Sequence, residues 1–279
     1  MPSPRGSKLE RSRSKKSKGS WVVPLALLLL FVVGISTLYF NAQKDTIKTS
    51  EETLCPEPFY IPEIAAVLID VTDKTSAAEK VQITQTLTEI KESLPKFGHL
   101  RLYVLSDEMK FGQEAAVDLC NPGTGEDLSV LYQNPNLAKK RWLERFSDVL
   151  DEALSLAAAR EPADSSEILE AIRSISIDFL SDPSNKNKER SLFVISDFIQ
   201  HVPGKLSQYR IDQVTVEEFM VSRYSRSVSS DLRGVDIELF YIDKPQYVDY
   251  QTSQHKTFWI TLLTEFGGNV KRVKKLFGG

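Results

Sequence analysis

The 279-residue chain is short of cysteine, with two, and of histidine, with three. Two cysteines cannot supply a four-thiolate zinc site, and no His-Glu-x-x-His places two imidazoles on one helix face. A Gly-x-Ser-x-Gly elbow is absent, as is a glycine-rich phosphate loop between a strand and a helix. His99, His201 and His255 stand in unrelated contexts. Hydrolase, zinc-enzyme and nucleotide-binding readings therefore lose their usual anchors. A basic surplus is missing as well: the formal net charge is −3. Within the first twenty residues Arg5, Lys8, Arg11, Arg13, Lys15, Lys16 and Lys18 face only Glu10, so everything after them is net acidic. That argues against nucleic acid as the main partner. No repeat of solenoid type is present either.

From Trp21 to Phe40 charge is missing altogether. About 20 apolar residues at 1.5 Å each cover a hydrocarbon core of about 30 Å. The run has no polar face, Pro24 falls in the first turn where it costs little, and Trp21, Tyr39 and Phe40 stand at the ends, where interfacial aromatics belong. A cleaved signal peptide would have a shorter apolar core, about 7–15 residues, and a small-x-small cleavage site. Here the run ends Leu38-Tyr39-Phe40-Asn41-Ala42. The expectation is an uncleaved signal anchor over 21–40, with a disordered basic arm (1–20) in the cytoplasm and the remainder exported. Cys55 and Cys120 then lie in an oxidising compartment, where one disulfide would pin the N-terminal lead to the sheet. Two unpaired thiols are the other possibility.

Past the anchor, residues 41–58 read as a polar stalk and extended lead-in, marked by Pro56 and Pro58, and 59–279 as one domain. Ile64 to Ile69 is a short, almost wholly apolar run suited to a strand buried on both faces. Helical spacing follows over Ser76–Ser93, then an alternating strand over His99–Ser106. After a polar turn from Asp107 to Gly112, Ala115–Cys120 reads as a hairpin edge. Helices are expected over Leu137–Ala159, with a core stripe of Trp142, Phe146, Leu150 and Leu154, and after Ser166. Ser191–Asp197 and Val235–Ile242 are further strands. Val214–Arg226 and Phe258–Phe266 read as helices, and Lys271, Arg272, Lys274 and Lys275 as a basic tail that is either a solvated helix end or a contact for an acidic partner or anionic lipid. Strands alternating with helices imply an α/β fold with a mostly parallel, doubly wound sheet and one antiparallel edge hairpin. Asp70, Asp197 and Asp243 then end strands on one rim.

Three stretches carry a resemblance: Asp70-Val71-Thr72-Asp73-Lys74, Ser166 at a helix start, and Phe193-Val194-Ile195-Ser196-Asp197. In that order they resemble the metal-ion-dependent adhesion site of von Willebrand factor A domains, over roughly Ile64 to Phe266. The family's first loop reads Asp-x-Ser-x-Ser, its second supplies a threonine and its third an aspartate. The resemblance implies a von Willebrand factor A-like fold and a site for Mg²⁺ or another divalent cation. Its oxygens would come from Asp70, Thr72, Ser166 and Asp197, with an open position for an acidic side chain of a protein partner. Lys74 stands where the family has its second serine, and its ammonium can reach the carboxylates in place of an ion. Retained and ion-free sites are both open on these residues. Asp73, Ser76, Asp164, Ser165 and Ser166 also have a simpler use as helix caps.

Two other classes compete. A phosphoryl-transfer hydrolase of the haloacid dehalogenase type would use Asp70 as nucleophile, but it needs a second carboxylate beside Asp197, where the chain reads Phe198-Ile199-Gln200. A ligand-free structural component of an envelope complex is the third reading. The preferred one is a non-enzymatic protein-binding domain on a membrane anchor. By resemblance to bacterial anchored domains of this kind it sits in the inner membrane facing the periplasm. Tyr247, Asp249 and Tyr250 would edge the binding surface, unless they serve only to pack their loop.

Overall fold

The computed structural model describes residues 21–44, 47–57, 60–105, 114–128, 134–159 and 161–277. The basic arm 1–20 and the turn expected between Asp107 and Gly112 lie outside the described residues. The chain divides into two compact units, Met1–Ile47 and Lys48–Gly279.

The first unit holds one helix, α1 (Val22–Lys44), which runs four residues past the expected end at Phe40. At 1.5 Å per residue its 23 residues are about 34 Å long. Its aliphatic side chains from Val22 to Val33 are exposed, and the hydroxyl of Thr37 donates back to Val33 O and Gly34 O at 2.9 Å. Among the described residues, which exclude the side chains at 38 and 40–44, no helix is long and apolar enough to cross a membrane.

The second unit starts with a minimal hairpin, β1 (Lys48–Thr49) against β2 (Pro56–Glu57), within the stretch read as a polar stalk and extended lead-in. Cys55 and Cys120 are disulfide-bonded, so of the two possibilities left open by the sequence the bridge is the one realised. It ties the hairpin to the sheet edge, where the N–H of Cys120 also donates to Thr53 O. The sheet itself has six strands: β3 (Glu63–Asp70), β4 (His99–Leu105), β5 (Val117–Cys120), β6 (Glu189–Ser196), β9 (Asp236–Asp243) and β10 (Asn269–Phe277). Two more two-residue strands, β7 (His201–Val202) and β8 (Leu206–Ser207), pair separately. Across the sheet the order is β10-β9-β6-β3-β4-β5. All pairs are parallel except β4–β5, which is antiparallel.

Every residue of β3 from Ile64 to Asp70 is buried, as a central parallel strand requires. Its alternate side chains serve two cores. Ile64, Ala66 and Leu68 face one, with α5 (Ile168–Ile175) and α8 (Ser253–Glu265). Ala65, Val67 and Ile69 face the other, with α2 (Ala77–Ser93), α3 (Pro135–Trp142) and α4 (Asp148–Ala157). The stripe Trp142, Phe146, Leu150 and Leu154 is buried as expected. Four-residue spacing drifts by about 40° per step on a regular α-helix. A π-turn at Leu143–Ser147 joins α3 to α4, and its wider ring absorbs part of that drift. A second π-turn, Ser176–Leu180, follows α5 and carries Phe179 into the core beside Ile168, Ile172 and Ile175.

Two expectations need correction. The helix expected over Val214–Arg226 is two short helices, α6 (Val216–Met220) and α7 (Arg223–Val228). Ser222 adopts extended backbone and caps the second through Ser225 N–H, which restarts the helix instead of continuing it. The basic tail is strand β10, paired in parallel with β9 except at Lys271, where the register shifts. Its lysines and arginine neutralise neighbours: Lys271 with Asp236, Arg272 with Glu238, Lys274 with Glu89 and Lys275 with Asp243. An edge strand this rich in cations lacks the apolar signature of a strand, and its charge discourages pairing with a further chain.

Candidate functional site

The chain moves from β3 to β4 in one direction and from β6 to β9 in the other, so the strand order reverses between β3 and β6. Ligands of open α/β sheets bind at such a point, beyond the strand C-terminal ends. Asp70 ends β3, and Asp197 follows β6 directly.

Asp70 is buried and saturated. Its Oδ1 accepts from the Thr72 N–H at 3.0 Å and the Thr72 hydroxyl at 2.7 Å. Its Oδ2 accepts from the Ser196 hydroxyl at 2.7 Å and the Ser166 hydroxyl at 3.4 Å. The structure thus brings Asp70, Thr72 and Ser166 together and adds Ser196. Ser166 does not begin a helix: α5 starts at Ile168 with Glu167 at the cap position, and the N–H of Leu169 is met by Gln200 Oε1 at 3.0 Å. Ser166 instead exchanges backbone bonds with His201 at 2.9 and 3.0 Å. Of the cap candidates after β3, Ser76 is the one used, in a capping box with Glu79.

The turn after β6 is held in an uncommon shape. Phe198 has φ +62°, a left-handed backbone that costs a non-glycine residue energy. Packing over-determines it: the ring stacks on Tyr241 at 5.4 Å, the N–H donates to Ser196 Oγ and the carbonyl accepts from Trp259 Nε1. This turn lets Asp197 Oδ1 take the Ile199 N–H at 2.9 Å and leaves Oδ2 facing the rim.

What Asp197 Oδ2 faces is Lys244, the residue after β9 ends. Its ammonium, with a side chain only 6% exposed, lies 3.4 Å from Asp73 Oδ2, 3.8 Å from Asp197 Oδ2 and 3.9 Å from Glu79 Oε1. Gln251 fixes the lysine's backbone, accepting the Lys244 N–H at 2.8 Å while donating to Asp197 O and Ile242 O. Burial works against the charge on Lys244, but Asp197, Asp73, Glu79 and Asp70 outweigh it and hold the lysine above its ordinary range. Asp197 moves well above the usual carboxylate range because it is buried and because Asp70 is close; Lys244 and the Ile199 N–H pull the other way. Lys74, the cation the sequence offered as one candidate to reach the carboxylates, is exposed.

These residues do not fit a hard dication well. Thr72 and Ser166 keep lone pairs for a metal even while donating to Asp70, so the hydroxyls alone do not decide the matter. Lys244 weighs against it, since its ammonium already faces Asp197, one of the two carboxylates that would supply the charge, with Asp73 and Glu79 around it. Among the described residues, Cys55, His99 and Cys120 bring three His, Cys, Asp or Glu ligand atoms within 4.8 Å of one another, and both sulfurs there are spent on the disulfide.

Lys244 and Glu79 are the residues that sequence reasoning missed. The available signal was position: Lys244 follows the third rim aspartate, Asp243, at a strand end. Asp243 itself turns to Lys275 on the neighbouring strand.

Beside the acidic cluster stands an aromatic one. Tyr209 meets Tyr247 at 5.3 Å and Tyr250 at 5.8 Å between ring centroids, and His201 at 5.4 Å. The Tyr247 hydroxyl reaches Asp73, joining the two clusters; burial is the main cause of its raised pKa. Ile211 and Val248, next to these rings in sequence, are exposed. The histidines serve elsewhere. His99 pairs with Asp118 where β4 begins, at the end of the sheet away from the rim. His201 binds Ser207 Oγ, and His255 is buried between Tyr241 and Gln208. A cleft of about 650 Å³ also lies away from the rim, lined by Glu63, Glu89, Phe193, Asp236 and Arg272, with most of its charges paired.

The fold and the site define an α/β doubly wound domain with an acidic, hydroxyl-rich rim at its switch point. No protein-family signature and no curated protein matches the chain. Among solved structures it is similar to the conserved hypothetical protein BatB from Bacteroides thetaiotaomicron, at 12% identity over 77% of this chain and 91% of that one, with a TM-score of 0.38. It is also similar to the VWA domain of SpRpn10, at 10% identity over 78% and 90%, with a TM-score of 0.37.

Proposed function

We propose that this is a membrane-anchored, von Willebrand factor A-like interaction domain that binds a protein partner across the rim formed by the loops after β3, β6 and β9. The rim surface carries the reading: Tyr209, Tyr247 and Tyr250 cluster beside the acidic site, with Ile211 and Val248 exposed next to them. Tyrosine with neighbouring exposed aliphatics is the composition of protein-binding patches. The order of the strands and the antiparallel third strand, β5, agree with the fold implied by the Asp70, Ser166 and Asp197 motifs. A binding role also suits Asp70, since both its oxygens already accept hydrogen bonds and neither is free to attack a phosphoryl group. Helix α1, with exposed aliphatic side chains and a Thr37 hydroxyl satisfied by its own backbone, supports an anchor that leaves the basic arm in the cytoplasm. The bacterial inner membrane, with the domain in the periplasm, is the location that this arrangement suits.

Site-specific photo-crosslinking in native membranes tests the reading. Photoreactive residues at Ile211 and Val248 should give protein adducts, and residues at Lys188 and Glu189, at the opposite end of the sheet, should not. Adducts confined to the latter pair would move the interface away from the rim. Carbonate extraction should leave the full chain in the membrane fraction; release into the supernatant would remove the anchor.

A further inference from the structure

We infer that the ammonium of Lys244 takes the place of a divalent ion beneath this rim, so that the site holds its shape without metal. The inference rests on reading the rim as an adhesion-type site, but its test does not involve the partner.

Three carboxylates, two from the β3–α2 stretch and one from the turn after β6, point at one nitrogen. Glu79, in the first turn of α2, spends Oε2 on the N–H of Ser76 and turns Oε1 to Lys244. Asp197 spends Oδ1 on the N–H of Ile199 and turns Oδ2 to the same nitrogen. Asp73 closes the third side at 3.4 Å. In each of the first two, one oxygen anchors backbone and the other faces the cation, which is how a protein orients carboxylates around a fixed charge. The loops after β3 and β9 and the turn after β6 are thereby drawn onto one nitrogen, as a metal would draw them.

Replacing the ammonium by Mg²⁺ would require oxygens at about 2.0–2.1 Å in octahedral array. Here the same oxygens stand 3.4–3.9 Å from a nitrogen that cannot vacate the site without leaving the buried carboxylates of Glu79 and Asp197 without a cation. The position that would hold a further hydroxyl ligand is occupied by Lys74, which is exposed. One oxygen donor is therefore lost and one fixed cation gained. The side chain of Lys244 is 6% exposed, against 25% for Asp73, so the cation lies under the rim and is not itself a contact for a partner. The surface a partner meets carries the partly exposed carboxylate of Asp73, with the buried Asp70 below it.

Thermal unfolding of the full-length chain in detergent decides the matter, with Mg²⁺ or Mn²⁺ alone as the probe and matched sodium chloride plus chelator as the control. The parent protein should unfold at the same temperature in all conditions. Lys244→Met should unfold several degrees lower in chelator and recover on millimolar Mn²⁺, because removing the ammonium leaves a carboxylate cage for the ion. Bound Mn²⁺ should then appear by electron paramagnetic resonance in the variant and not in the parent. If Lys244→Met fails to fold, the double variant Asp73→Asn/Lys244→Met relieves one carboxylate and should show the same ion response. A parent transition that rises with either ion and ceases to do so in Asp197→Ala would overturn the inference. So would folded lysine variants that ignore both ions. Crosslinking at Ile211 and Val248 reports on the partner whichever way this experiment falls.

Discussion

Among the described residues of this domain two lysines are buried, and they are buried differently. Lys91, on α2, is 1% exposed and lies 2.8 Å from both oxygens of Asp151 on α4, with Ser147 Oγ at 2.9 Å. Lys244 is 6% exposed and touches no carboxylate that closely, yet has three within 3.9 Å. Lys91 forms a neutral, directly bonded pair between two helices, and the partner's carboxylate, 38% exposed, remains hydrated. Lys244 is one positive charge shared among acids from the β3–α2 stretch and the turn after β6, with negative charge left over. The first arrangement fastens α2 to α4. The second gathers loops at a rim, and surplus charge under a surface edged with tyrosines is a property of a site more than of a brace.

Removing each lysine should separate the two cases. Lys244→Met, measured by denaturant unfolding in chelator, should cost about 3–5 kcal/mol, the scale for stranding a buried charge. Equal costs for Lys244→Met and Lys91→Met would abolish the distinction. The disulfide braces the Lys91 side of the sheet, where α4 packs near β4 and β5, and closes a loop of 65 residues. Cys55→Ser with Cys120→Ser should cost about 2–4 kcal/mol, with lost exchange protection concentrated in β5 and the β1–β2 hairpin.

Acid acts on the other side. His255 is buried among Tyr241 and Gln208, and burial lowers its pKa to about 4. The unfolded chain, with histidine near 6.5, therefore binds more protons between those values, so stability falls as pH drops through that window. The loss approaches about 3 kcal/mol by pH 4, and His255→Gln should flatten that part of the stability profile. Hydrogen exchange at pH 5 should open α8 before α4. Lys91→Met should cost only about 1–2 kcal/mol, since its stranded partner can take up water. Lys74→Ala should stay within about 0.5 kcal/mol, as expected of an exposed side chain with no part in the cluster.

The site was legible where its signals were local. Asp70 and Asp197 each close an apolar run, and such runs name their own strands because burial on both faces demands them. Ser196 belongs to the third motif, but its hydroxyl bond to Asp70 spans 126 residues and follows only from β3 and β6 being neighbours. Strand β10 was hidden by the feature that equips it for an edge: a run of lysines has no apolar period to detect. The disulfide was one of two open states until Cys55 and Cys120 were placed with their Cα atoms 4.8 Å apart.

Composition and periodicity alone determined the uncharged run at 21–40, the alternation of strands and helices and the acidic strand ends, because each depends on residues close in the chain. Tertiary structure alone decided which cation faces those acids. Lys74, two residues past Thr72, turns to solvent, while Lys244, 171 residues from Asp73, is carried under the rim by β9 and held by Gln251. Sequence distance says little about which charge meets which, because pairing order and loop path set the distances that govern Coulomb's law.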